Sequence, residues 1–286
     1  KTPDVRVFQS EAAKISSSKT APVPAPSRAE RSSDEAVKAV SELPTPMVGA
    51  QEKKYYVLAD PNDTYYGSQW YLQTVRAPQA WPTTIGSSSV KVAVIDTGFA
   101  LSHGDLTASW QYNSGEQGGG KEIDGIDNDG NGYVDDFRGW DFVSSDNNPQ
   151  AGSVNPTGEG VSHGTEVAGL VGARGNNGIG VTAVSQRVSI LPLQVLSDDG
   201  TGYSDDIATA IRYAVDSGVN VINMSLGTNG DDPVVRTAVD YAANHNVVVV
   251  AAAGNCGNNT IGVCAGQAAG FITFPGSYNR VIAVGA

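Results

Sequence analysis

The sequence predicts an α/β fold in three layers, a mostly parallel central sheet covered by helices on both faces. Near-continuous apolar runs alternate with stretches whose apolar residues recur at helical spacing, the pattern of strands buried on both sides. The apolar content, 40% of 286 residues with 34 glycines, is ample for such a core built from small side chains and tight turns.

Residues 1–54 have a different texture, rich in Ser, Ala, Pro, Lys and Glu, with Pro alternating with small residues over 21–26. They read as a poorly ordered linker or propeptide remnant. A short helix over 34–43 would carry a single stripe of Val37, Val40 and Leu43, too little to bury enough surface alone. From residue 55 to 286 the chain reads as a folded domain. Residues 90–95 form a β-rich run that meets a turn at Asp96, Thr97 and Gly98. His163, followed by Gly164, opens a Gly-rich helix start. A second apolar run covers 188–196. Ser204 can cap the next helix, whose stripe is Ile207, Ala210, Ile211, Ala214 and Val215 and whose stop is Gly218. Strand 219–224 follows. Asp232 and Pro233 then supply an N-cap and a first-turn proline for a helix carrying Val235, Ala238, Val239 and Ala242. Runs 247–252 and 280–284 are the last strands. In open parallel sheets functional residues gather beyond the carboxyl ends of the strands, where Asp96, Ser225 and Asn255 would fall.

The formal net charge of −12 argues against a nucleic-acid partner, which calls for the opposite excess, and makes a cation the expected counterpart. No run of about 18 apolar residues occurs, so no membrane insertion is expected. The chain starts at Lys1 with no apolar signal core, so an export signal is expected upstream or already removed. Cys256 and Cys264, the two cysteines, read as a local disulfide, worth roughly 2 to 3 kcal/mol in the chain-entropy model; two free thiols are the alternative.

Asp96 at a strand end could hold a semi-buried carboxylate toward an imidazole, although Asp before Thr-Gly is also common in turns. His163 stands where small residues let backbone and substrate approach closely, although a lone histidine is usually structural. Asn255 follows Ala251, Ala252, Ala253 and Gly254, so an amide donor emerges from a wall of small side chains. These positions, with residues 93–98, 163–169, 221–227 and 251–255 in that order, resemble the subtilisin-like serine proteases over residues 56–286. Residues 61–81 also resemble the mature-domain start of thermitase-like members. Glu166 departs from the pattern, since many members carry a second histidine there.

The resemblance implies an endopeptidase acting on peptide or protein substrates, with His163 as general base and Asp96 orienting it. It makes Asn255 an oxyanion donor, a role worth about 10² to 10³ in turnover in a related enzyme. Gly200, Gly202 and Tyr203 with Ser225, Leu226 and Gly227 would pair with the substrate backbone. Ala252, Ala253 and Gly254 would line the pocket for the side chain before the scissile bond. The family's nucleophilic serine lies in a Gly-Thr-Ser-Met-Ala stretch beyond the Asn255 motif, and residues 1–286 contain no such stretch. The C-terminal part of the domain is therefore expected to be missing, and this polypeptide alone is expected to lack triad-dependent activity.

An acidic insert at about 120–142 carries Asp124, Asp127, Asp129, Asn131, Asp135, Asp136 and Asp141. Asp127, Asp129, Asn131, Gly132 and the carbonyl of Tyr133 follow calcium-loop spacing, with Asp135 or Asp136 to close it; Arg138 at the twelfth position rules out an EF-hand. A solvated acidic turn is the alternative. The resemblance adds a second calcium site of Asp63, Asp105, Asn177 and backbone oxygens of the 174–180 loop, Ile179 among them. A secreted, calcium-dependent protease with a propeptide as a further partner is the leading reading. A noncatalytic calcium-binding extracellular module on the same scaffold is the alternative. A nucleotide-binding protein fits poorly, because no Gly-rich phosphate loop follows the first strand.

Overall fold

A computed structural model describes residues 60–152, 162–257 and 262–285. The expected linker 1–54 and the helix over 34–43 lie outside the described residues. Six strands form one sheet: β1 (Lys91–Asp96), β2 (Trp140–Asp141), β3 (Ser189–Gln194), β4 (Val221–Met224), β5 (Val248–Ala252) and β6 (Val281–Val284). Their order is β2-β3-β1-β4-β5-β6, and every neighbouring pair is parallel. The helices are α1 (Trp70–Thr74), α2 (Ala77–Ala80), α3 (His163–Gly172), α4 (Ser204–Asp216) and α5 (Pro233–Asn244).

Alternation along β1 divides the interior into two cores, as the pleat of a strand requires. Ala93 and Ile95 face a cluster with Leu191, Leu193, Ile222 and Met224, capped by Ala210, Ile211 and Ala214 of α4 and by Ala238, Val239 and Ala242 of α5. Val92 and Val94 face the other way, into a cluster with Phe99, Leu106, Trp110 and Ile190 and with Ala168 of α3. The sheet is thus covered on both faces, and the small residues of the helices let them lie close to it.

The five strand runs read from the sequence all appear: the first is shifted by one residue so that Asp96 ends it, and the other four are trimmed by one to three residues. The two-residue β2 had no readable signal, because Trp140 and Asp141 pair with β3 only after the acidic insert has brought them there. The cap of α5 is as expected: Asp232 accepts the N–H groups of Val234 (2.8 Å) and Val235 (3.3 Å), with Pro233 behind it. The start of α4 differs. Tyr203 is the N-cap and Ser204 is the first helical residue; the Ser204 hydroxyl donates to Asp232, joining the starts of the two helices.

The winding direction locates the site. From β1 the chain runs to the β3 and β2 side, and after β3 it crosses to β4 and continues outward to β6. The connections from β1 and β4 therefore diverge, leaving a crevice beyond their carboxyl ends. Ile211 is fully buried in the larger core, whereas Val234 is half exposed. Replacing Ile211 by Ala should cost about 2 to 5 kcal/mol in urea unfolding, and Val234→Ala under about 1 kcal/mol.

Candidate active site

Asp96 ends β1 with its side chain fully buried, and His163 is the first residue of α3. His163 Nδ1 and Asp96 Oδ1 are 2.7 Å apart. The same oxygen accepts the N–H of Thr97 at 2.8 Å. Closeness of strand end and helix start is secured by Gly164, where an added Cβ would meet the Gly98 carbonyl oxygen at 2.4 Å and Asp96 Cβ at 3.2 Å. Its N–H donates to Thr97 Oγ1 (3.1 Å), and Thr165 Oγ1 accepts the N–H of Ala100 (2.9 Å). The hydrogen bond to Asp96 raises the His163 pKa above the ordinary imidazole value, against the lowering effect of partial burial.

His163 opens onto a cleft of about 630 Å³ at the crevice beyond β1 and β4. Its walls include Gly200 and Gly202 from the segment before α4 and Ser225, Leu226 and Gly227 from the segment after β4, with Phe274 and Tyr278 also lining it. Thr97, Phe274 and Tyr278 were not singled out from sequence, and only the position of Thr97 beside Asp96 could have pointed to it. Tyr203 is 77% exposed and is not among the described residues lining the cleft. Neither are Ala252, Ala253, Gly254 and Asn255, which follow the end of β5. The N–H of Ala253 donates to Val284 O (2.8 Å) and its carbonyl accepts the N–H of Thr273 (3.0 Å); Asn255 is exposed. Cys256 and Cys264 are joined by a disulfide. His103 and His245 bond to nearby backbone groups instead.

The metal candidates divide into two regions. Near the chain's first described turn, Asp63 Oδ2 accepts the Asn176 N–H (2.8 Å) and its Oδ1 is buried without a partner. Asp105 accepts from the Asn177 amide (2.7 Å) and from the Val181 N–H (2.8 Å), while Ile179 donates its N–H to Asn177 Oδ1 (2.9 Å). The two nearly buried acids thus both lie on the 174–180 loop, and a hard cation fits that oxygen-rich donor set with its orphaned carboxylate oxygen.

In the acidic insert, Asp124, Asp127 and Asp135 engage backbone N–H groups of their own turn: Ile126, then Gly130, Asn131 and Gly132, and then Gly125. Asp129 also accepts the N–H of Asn131 (3.1 Å), and it and Asp136 are brought together with Glu116, which the sequence analysis missed because it precedes the insert in an unremarkable Gly-rich stretch. Asn131 donates to Asp136 (2.8 Å) and accepts the Tyr133 N–H (2.8 Å). The Tyr133 ring packs on Trp140, Phe142 and Tyr213. Burial and the neighbouring Asp136 carboxylate push the Tyr213 phenol well above its usual pKa, so it stays a neutral donor to Asp136.

The model of the Subtilase family matches residues 87–286, the whole stretch from β1 through β6. The chain belongs to the subtilase family. This subtilase is 39% identical to the thermophilic serine proteinase of a Bacillus species over 245 residues, 84% of this chain and 50% of that protein. It is 36% identical to thermitase of Thermoactinomyces vulgaris over 225 residues, 78% of this chain and 64% of that protein. Halolysin of Haloferax mediterranei is 35% identical over 79% of this chain and 36% of its own length. The chain thus spans half to under two thirds of the first two relatives.

A histidine whose folded pKa is raised adds stability that is full below its unfolded pKa of about 6.5 and is lost as pH rises through the folded value. Asp96→Asn removes the larger cause and leaves the opposing one. By NMR titration, the His163 ring should therefore titrate above the ordinary value in the unaltered chain and distinctly lower in the variant.

Proposed function

We propose that this domain is the front portion of a serine endopeptidase that hydrolyses peptide bonds in peptide or protein substrates. The observation that carries the proposal is the Asp96–His163 hydrogen bond opening on a cleft walled by Gly200, Gly202 and residues 225–227. Because Asp96 engages Nδ1, proton exchange falls to Nε2, which takes the proton of a serine hydroxyl and returns it to the leaving amine. Asp96 fixes the tautomer and stabilises the imidazolium, and the raised His163 pKa is the equilibrium expression of that stabilisation. Gly200, Gly202 and Tyr203 bind the extended substrate backbone from one side, and Ser225, Leu226 and Gly227 from the other. Ala252, Ala253 and Gly254 shape the pocket for the side chain before the scissile bond, and Asn255 donates to the oxyanion. The exposure of Asn255 and its place outside the cleft lining make that role the one that most needs local rearrangement.

The nucleophile belongs to a stretch that residues 1–286 do not contain, so this polypeptide is inactive alone. Residues 1–54 act as a linker or propeptide remnant ahead of a catalytic domain beginning near 55. The protein is exported, a reading supported by the Cys256–Cys264 bond, since disulfides persist in oxidising compartments. Among the described residues no helix is long and apolar enough to cross a membrane.

Calcium is the structural cofactor, held at the Asp63, Asp105 and Asn177 loop and at the acidic insert. Bound there, it supplies positive charge to carboxylates drawn out of water and stabilises the folded state by mass action, about 2.7 kcal/mol at a hundredfold excess over Kd.

Two measurements test this reading. The 286-residue chain should neither cleave a peptide nor react with a fluorophosphonate, whereas a polypeptide that also carries the family's serine stretch should do both. In the latter, Asp96→Asn should lower turnover by about 10⁴. Labelling of the short chain, or indifference of the longer one to Asp96→Asn, would sink the proposal. Calcium should raise the melting temperature and chelator should lower it; an unchanged value speaks against calcium at either place.

A further inference from the structure

Away from the cleft, a close group of carboxylates forms where Glu116 meets the acidic turn. Glu116 and Asp136 are fully buried, Asp129 is exposed, and one carboxylate oxygen of each lies within 4.8 Å of the others. None of the three is in an ion pair with a basic side chain among the described residues. Like charges so close, two of them out of water, require compensation.

Neutral donors compensate most of the oxygens. Glu116 Oε1 accepts the N–H of Asn128 (2.6 Å) and of Asp129 (3.3 Å). The Asn113 amide donates to Asp129 Oδ2 (2.9 Å) and Asp136 Oδ1 (2.6 Å). Asp136 Oδ2 accepts from the Asn131 amide (2.8 Å) and the Tyr213 hydroxyl (2.6 Å). Glu116 Oε2 is buried and has no partner. An orphaned carboxylate oxygen beside two further carboxylates is an arrangement that a cation satisfies and that neutral donors leave incomplete.

We propose that Glu116, Asp129 and Asp136 form a divalent-cation centre of calcium type. The proposal rests on the calcium reading above and assigns the insert a ligand set that the acidic turn alone does not supply. The donors are all oxygen, with no imidazole or thiolate in the group, which disfavours zinc and the softer metals. They come irregularly from three places in the chain, a geometry that suits calcium's flexible coordination better than the octahedron magnesium demands.

The centre reaches the cleft through one side chain. Asp136 accepts from Tyr213 of α4, and Tyr133 packs edge-on against the same ring with centroids 4.7 Å apart. Helix α4 begins at Ser204, which lines the cleft. A cation held here fastens residues 116–136 to the helix behind the Gly200–Gly202 wall.

The test is calorimetric titration of the chelator-stripped 286-residue chain with calcium chloride, with circular dichroism recording that each variant is folded. Glu116→Gln and Asp129→Asn should each bind one ion fewer than the unaltered chain, or bind that ion at least about tenfold more weakly. Asp129 is exposed, so its variant decides the matter if Glu116→Gln does not fold. Variants that bind as many ions as tightly as the unaltered chain overturn this centre and leave calcium binding elsewhere intact. An unaltered chain that binds no calcium overturns both.

Discussion

The 2.7 Å contact between His163 and Asp96 is the constraint on which the rest of this structure depends. A fully buried carboxylate is tolerable only with partners, and Asp96 has two on one oxygen, the imidazole and the Thr97 N–H. To bring the imidazole there, a helix must start within van der Waals reach of a strand end. Gly164 makes that approach possible, and Thr97 and Thr165 lock it by accepting N–H groups across the junction. The pair is therefore a property of two elements held in register, and what moves β1 against α3 alters the imidazole.

Sheet topology extends this local constraint to the cleft. With β1 and β4 adjacent and their onward connections diverging, the residues after each strand cannot cover the space between them. The segment before α4 and the segment after β4 become facing walls. The two helix starts behind those walls are also joined, because Asp232 caps α5 while accepting from Ser204 of α4, and its own N–H and carbonyl bond to the Tyr278 hydroxyl. Cleft width is thus set by helix positions, which are in turn set by the apolar packing of Ile211, Ala214, Val235 and Val239.

Much of this is legible in the amino-acid sequence. Apolar runs around Val94, Ile190, Ile222 and Val249 are long enough to read as strands buried on both faces, and the stripes of α4 and α5 recur at unmistakable spacing. What was not legible depends on contacts between distant residues. Strand β2 exists only through its pairing with β3, and Thr97 matters only because Gly164 arrives beside it. Within the acidic insert, spacing suggested that neighbouring carboxylates converge. Asp124, Asp127 and Asp135 instead turn to their own backbone, while Glu116 comes from outside the insert to meet Asp129 and Asp136. A one-dimensional spacing rule counts oxygens but not the N–H groups that compete for them.

That competition also explains how an acidic chain keeps carboxylates in its interior. Six are buried among the described residues: Asp63, Asp96, Asp105, Glu116, Asp136 and Asp141. Asp96 has an imidazole on one oxygen, although its other oxygen also lacks a donor, and Asp141 has the N–H groups of Val143 and Ser144. The other four fall into the two regions argued above to hold cations, and each region contains an oxygen with no donor, on Asp63 and on Glu116. Neutral donors soften such sites without cancelling their charge. The net charge of −12 is thus not spread as a uniform solvated surface: part of it is folded inward, most of that at the two regions proposed above to hold cations. On the calcium reading proposed above, stability in this fold follows cation supply at those two regions.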